Sequence, residues 1–162
     1  MTGETARRRR AGDSGPSGRR RRHLRGCLRW CRRRPHHRRR RADVIIGGLG
    51  KDTLTGGTGA DTFGFFFALG ATNVDRITDF SVPQDTFELD NSVFTALGVS
   101  SKLAAKMFYK GAHAHDGDDH IIYNPATGAL FYDSNGTAAG GEVKFATLAH
   151  HLAMTAADFL VA

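Results

Sequence analysis

Short apolar runs bounded by Gly, Asp and Asn recur from residue 42 onward. They predict strands near Val44–Ile46, Thr53–Thr55, Thr62–Phe67 and Thr86–Leu89. Ser92–Leu97 before Gly98, and Ser101–Phe108 before Gly111, read as short helices with Ser caps and Gly stops. His120–Asn124 and Ala129–Asp133, joined by Pro125-Ala126-Thr127-Gly128, read as a hairpin whose turn Pro125 initiates. Glu142–Leu148 reads as a further strand. Thr155 with Asp158 three residues on fits a capping pair for a last helical turn.

The first strands obey a nine-residue period. Gly47-Gly48-Leu49-Gly50-Lys51-Asp52-Thr53-Leu54-Thr55 runs directly into Gly56-Gly57-Thr58-Gly59-Ala60-Asp61-Thr62-Phe63-Gly64, and both fit G-G-x-G-x-D-x-U-x with U large and apolar. One period earlier, Ala42-Asp43-Val44-Ile45-Ile46 keeps Asp43 and Ile45 in register. The pattern resembles the calcium-binding parallel β-helix repeat of RTX proteins. A flexible glycine linker would not hold an aspartate and an apolar residue in such register.

Calcium takes about six to eight oxygens from carboxylates and carbonyls. Glycines can adopt positive φ and aim successive carbonyls inward, and the aspartate adds charge. The residue U then points into the coil. One coil takes two nonapeptides, so turns 18 residues apart stack and share an ion, which places Asp43 opposite Asp61. The turn at 47–52 would face Phe65-Phe66-Phe67-Ala68-Leu69-Gly70, which offers no carboxylate, so Asp52 must find Asp75 or Asp79 further on. The expected ligand set is Asp43, Asp52, Asp61, Asp75 and Asp79 with the turns of Gly47, Gly48, Gly50, Gly56, Gly57 and Gly59. Without a cation these carboxylates repel, so folding is expected to be coupled to Ca2+.

Beyond Gly59-Ala60-Asp61-Thr62-Phe63 the chain resembles the C-terminal module of serralysin-type peptidases and related RTX exoproteins. The likeness rests on Asp75-Arg76-Ile77-Thr78-Asp79-Phe80, Asp85-Thr86-Phe87-Glu88-Leu89, Ile121-Ile122-Tyr123-Asn124, Gly128-Ala129-Leu130-Phe131-Tyr132-Asp133 and Thr155-Ala156-Ala157-Asp158-Phe159-Leu160-Val161. It implies a mainly β fold: a short right-handed parallel β-roll over 42–67, then a β-rich C-terminal cap over 68–162 with a hairpin and short helices. It also implies secretion to the extracellular medium by a type I exporter, with Asp158, Phe159, Leu160 and Val161 as the terminal secretion motif. The serralysin zinc motif H-E-x-x-H is absent from this sequence, so the expectation is a non-catalytic module.

Charge divides the chain. Residues 1–41 carry 17 Arg against Glu4 and Asp13, whereas residues 42–162 carry six Lys or Arg against 14 Asp or Glu. The overall +7 therefore describes neither part. An arginine segment of this kind is expected to be disordered, and as a genuine tail it would bind nucleic acid through phosphates. The preferred reading is different. The repeat calls for Gly-Gly-x-Gly at 38–41, and Arg stands at all four positions. A GGC glycine run read out of frame gives CGG, an arginine codon.

Other candidate chemistry is thin. Cys27 and Cys31 with His36 and His37 lie inside the arginine segment, where cationic charge opposes zinc. The loop carrying His113, His115, Asp116, Asp118, Asp119 and His120 is read as solvated charge, with an accessory calcium or zinc site as its alternative. No apolar run reaches the ~20 residues that span a bilayer.

Overall fold

A computed structural model describes residues 41–99, 101–137 and 139–162. The expectations for the arginine runs, Cys27 and Cys31 concern residues 1–40 and lie outside the described residues.

The protein is mainly β. With strands numbered in chain order, one parallel sheet has the order β1 (Val44–Ile46), β3 (Thr62–Phe65), β5 (Thr86–Leu89) and β10 (Phe159–Val161). The other has the order β2 (Thr53–Leu54), β4 (Asp75–Ile77), β9 (Glu142–Thr147), β8 (Ala129–Asp133), β7 (Ile121–Asn124) and β6 (Phe108–Lys110). From β1 to β5 the chain visits the two sheets alternately, and each visit pairs in parallel with the strand two before it.

Register shows where the repeat holds and where it stretches. Val44 pairs with Thr62 and Ile45 with Phe63, the offset of 18 that two nonapeptides require. Leu54 pairs with Ile77 at an offset of 23, and Phe63 with Phe87 at 24. The excess at offset 23 is folded into residues 66–74, where Asn73 N–H donates to Gly70 C=O at 2.9 Å and Asn73 Nδ2 to Ala68 C=O at 2.8 Å, and the further residue at offset 24 lies between β4 and β5. The expected strand Thr62–Phe67 accordingly stops at Phe65, whose register partner Leu89 ends β5.

The U positions do point inward. Leu54 and Phe63 are buried, and Phe63, Phe87 and Phe159 are neighbours across one sheet, with Phe87 stacked on Phe159 at 5.0 Å and on Phe80 at 4.6 Å. Phe145 joins this row to the far sheet through edge contacts with Phe65 at 5.1 Å and Phe94 at 5.3 Å. A fully buried Phe contributes about 1.5–3 kcal/mol relative to exposure. The aromatic row therefore ties the coils to the residues after 90 as a single core cluster.

The two expected helices shrink. Only Thr95–Leu97 and Ala105–Met107 form 3-10 turns, and neither has a side-chain cap. Ser92 is not a cap; its N–H donates to Asp90 Oδ1 at 2.8 Å, so an aspartate turn starts the segment. Phe108, expected at a helix end, begins β6 because its strand neighbour Ile121 supplies a ladder. The hairpin forms as expected, with Ile121 opposite Tyr132 and Asn124 opposite Ala129. Gly128, at φ 70°, closes its turn by donating to Asn124 C=O at 2.8 Å. Thr155 caps the 3-10 turn Ala156–Asp158 with a full capping box.

Candidate metal centre

Each repeat turn stands immediately before a strand, so parallel pairing of the strands stacks the turns. Asp43 N–H donates to Asp61 Oδ1 at 2.9 Å, and Thr62 N–H returns a bond to Asp43 C=O at 2.8 Å. On the other sheet, Asp52 N–H donates to Asp75 Oδ1 at 3.0 Å. Of the two candidates for the partner of Asp52, the stacked residue is therefore Asp75. Asp79 lies elsewhere: its Oδ1 and Oδ2 accept from the N–H groups of Gly56 at 2.9 Å and Gly57 at 2.7 Å.

The same rule extends one coil past the expected set. Asp61 N–H donates to Asp85 Oδ1 at 3.0 Å, and Asp85 Oδ2 accepts from Ser81 N–H at 2.8 Å. Asp43, Asp61 and Asp85 thus form one ladder of backbone-to-carboxylate bonds. Asp85 was legible in principle, since Asp85-Thr86-Phe87 repeats Asp61-Thr62-Phe63 outside the nonapeptide spacing. Asn73, also unexpected, accepts at Oδ1 from Gly50 N–H at 2.8 Å, two residues ahead of Asp75 as Gly50 is ahead of Asp52.

Glycine plays two different parts here. Gly48 and Gly57 occupy φ 92° and 96°, which a side chain would disfavour. Gly47 and Gly56 instead make room. A Cβ on Gly47 would lie 2.7 Å from Asp75 Oδ2, and one on Gly56 would lie 2.6 Å from Asp61 Oδ2. The carboxylates fill the cradles that the missing side chains leave.

Two oxygens in these cradles are unsatisfied. Among the described residues, Asp52 Oδ2 and Asp61 Oδ2 are the buried side-chain oxygens with no hydrogen-bond partner, and Asp61 is only 1% exposed. A buried carboxylate oxygen left unpaired costs about 1–3 kcal/mol or more. Burial also pushes the Asp75 carboxyl above the usual aspartate range; the Asp52 N–H pulls it back, and the neighbouring Asp52 charge adds to the rise. Buried carboxylate oxygens with no hydrogen-bond partner are hard oxygen donors of the kind that a divalent cation such as calcium prefers. These residues fit a calcium ion.

Residues 40–63 match the family model of the RTX calcium-binding nonapeptide repeat (4 copies). That repeat class implies calcium binding. No curated protein matches the chain significantly. The matched stretch ends at Phe63, so Asp75, Asp79 and Asp85 lie beyond it and are connected to the repeats by the structure.

The remaining expected residues fall apart from this centre. Asp158 belongs to the capping box, accepting from Thr155 N–H at 2.7 Å, while Phe159, Leu160 and Val161 form β10 against Phe87, Glu88 and Leu89. In the 113–120 loop, ligand atoms of His115, Asp116 and Asp119 lie within 4.8 Å of one another. Asp119 Oδ2 there accepts the N–H groups of His115 at 2.8 Å and Asp116 at 3.0 Å. His113 faces another element, with Nδ1 3.0 Å from Glu142 Oε2. No described helix is long and apolar enough to cross a membrane.

Proposed function

We propose that the protein is a secreted, non-catalytic calcium-binding module whose repeats form a right-handed parallel β-roll that folds when calcium binds. The observation that carries this reading is the pair of unsatisfied buried oxygens, Asp61 Oδ2 and Asp52 Oδ2, each lying against the glycine that opens its own turn, Gly56 and Gly47. A bound calcium supplies the positive charge that turns carboxylate repulsion into ligation. Asp43 and Asp61 hold the ion on one edge of the roll, and Asp52 and Asp75 on the other. The glycine turns hold their carbonyl oxygens between them, and the U side chains exclude water from the coil interior.

Export belongs to the same proposal. A chain that stays loose where calcium is scarce passes a type I exporter unfolded and folds outside, where calcium near the ~10⁻⁴–10⁻³ M range of extracellular sites is available. The terminal segment Asp158–Val161 serves as the secretion motif while the chain is extended. Once folded, Phe159 and Val161 are buried in β10.

Circular dichroism of the full chain, titrated with calcium and separately with magnesium, tests the calcium reading. Sheet signal that rises with calcium alone supports it; identical spectra with calcium, magnesium and chelator overturn it. Retention of the chain on DNA, lost at high salt and indifferent to calcium, would favour the nucleic-acid tail instead.

A further inference from the structure

We propose that Asp79 is a positioning residue for calcium: it holds the turn at Gly56–Gly57 in its ligating shape without touching the ion. The inference rests on the calcium reading above and adds a residue outside the matched repeats.

Both carboxylate oxygens of Asp79 are engaged by backbone, at 2.9 Å from Gly56 N and 2.7 Å from Gly57 N. Such charge-assisted bonds are about twice as strong as neutral ones. The surrounding register is fastened as well. Thr78 N–H donates to Leu54 C=O at 3.0 Å, and the Thr55 and Thr78 hydroxyls meet at 2.7 Å. Four consecutive residues, Leu54 to Gly57, are thereby bound to Thr78 and Asp79.

The orientation has a direct consequence. In a planar trans peptide the C=O points opposite to the N–H. Fixing the N–H groups of Gly56 and Gly57 on Asp79 turns the carbonyls of Thr55 and Gly56 away from Asp79. It also fixes the Gly56 cradle in which Asp61 Oδ2 lies unpartnered. The two aspartates divide the work: Asp61 keeps an oxygen for the ion, whereas Asp79 has both oxygens committed to the turn. The preceding turn is braced differently, by the neutral Asn73 on Gly50.

Removing an outer residue that orients metal ligands typically weakens binding about 10–100-fold. Asp79→Asn puts an NH₂ group where one N–H acceptor stood. The test titrates the full-length wild type, Asp79→Asn, Asp79→Glu and Asp61→Asn with terbium by luminescence, then displaces the terbium with calcium. Asp79→Asn is expected to bind as many ions as the wild type but at least tenfold more weakly, with Asp79→Glu between the two. Asp61→Asn should bind fewer ions. At saturating calcium, amide hydrogen exchange at Gly56 and Gly57 should quicken in Asp79→Asn while the core strands stay protected. An ion lost from either Asp79 variant would make Asp79 a ligand and overturn the proposal, and so would unchanged affinity. If Asp79→Asn fails to fold at any calcium level, Asp79→Glu decides by the same two criteria. A wild type that binds no ion while its Gly56 and Gly57 amides are protected would instead overturn the calcium reading itself, and this calcium role with it.

Discussion

The Asp52 backbone N–H lies 3.0 Å from the Asp75 carboxylate across an offset of 23 residues, where regular nonapeptides would place the partner 18 away. The extra residues bulge between β3 and β4, and the carboxylate still arrives in place. Parallel strand register, rather than sequence spacing, sets which acids share an edge of the stacked turns.

Asp61→Asn should separate stability from metal response. It replaces a buried charge among stacked acids by a neutral amide of the same shape that keeps one oxygen for the Asp43 N–H, so repulsion falls and the folded fraction in chelator is expected to rise. Calcium should then add less sheet signal than in the wild type. Circular dichroism with chelator and with excess calcium measures both; a lower folded fraction in chelator would contradict the account.

Glycine substitutions should divide by position. Gly56→Ala places a methyl group against Asp61 Oδ2 and is expected to abolish ion binding at that edge. Gly57→Ala meets no atom nearby but strains φ 96°, at about 1–2 kcal/mol. It should lower stability while leaving the number of bound ions unchanged, as calorimetric titration would show.

Acidity should act through Asp75. Its folded-state pKa is raised above the ordinary value, chiefly by burial. The metal-free fold therefore binds more protons than the unfolded chain between those two values, and its stability falls as pH rises through that window. With calcium present the sign reverses, because the ligand must be deprotonated. Calcium affinity should weaken on acidification at a higher pH than an ordinary aspartate would give, and Asp75→Asn should remove that dependence. Asp90, held below the usual range by hydrogen bonds from Ser92, acts only at lower pH. Unfolding followed across pH, with and without calcium, checks the two slopes.

Phe87→Ala should cost about 3–5 kcal/mol. Its ring stacks on Phe80 and Phe159 and lies 6.3 Å from Phe63, so the loss opens the row joining the coils to the C-terminal strand. Excess calcium should not restore the wild-type unfolding midpoint, since the defect lies in the core and not in the turns.

The sequence by itself determined the elements governed by local pattern. The period of Gly, Asp and U placed β1 and β2 and the stacking of Asp43 on Asp61. Pro125 and Gly128 marked the hairpin, and Thr155 with Asp158 marked the final cap. Each depends on residues a few positions apart or on an unbroken repeat, so spacing alone carries it.

Tertiary structure decided what spacing could not reach. The bulge at 66–74 selected Asp75 for Asp52 and sent Asp79 to Gly56 and Gly57. The third rung at Asp85, the neutral brace of Asn73, and the pairing of β10 with β5 across an offset of 72 residues also came from the assembled sheets. Once a coil departs from the repeat, its partners are set by which strand ladders and aromatic faces can close together, and that is a property of the whole packed chain.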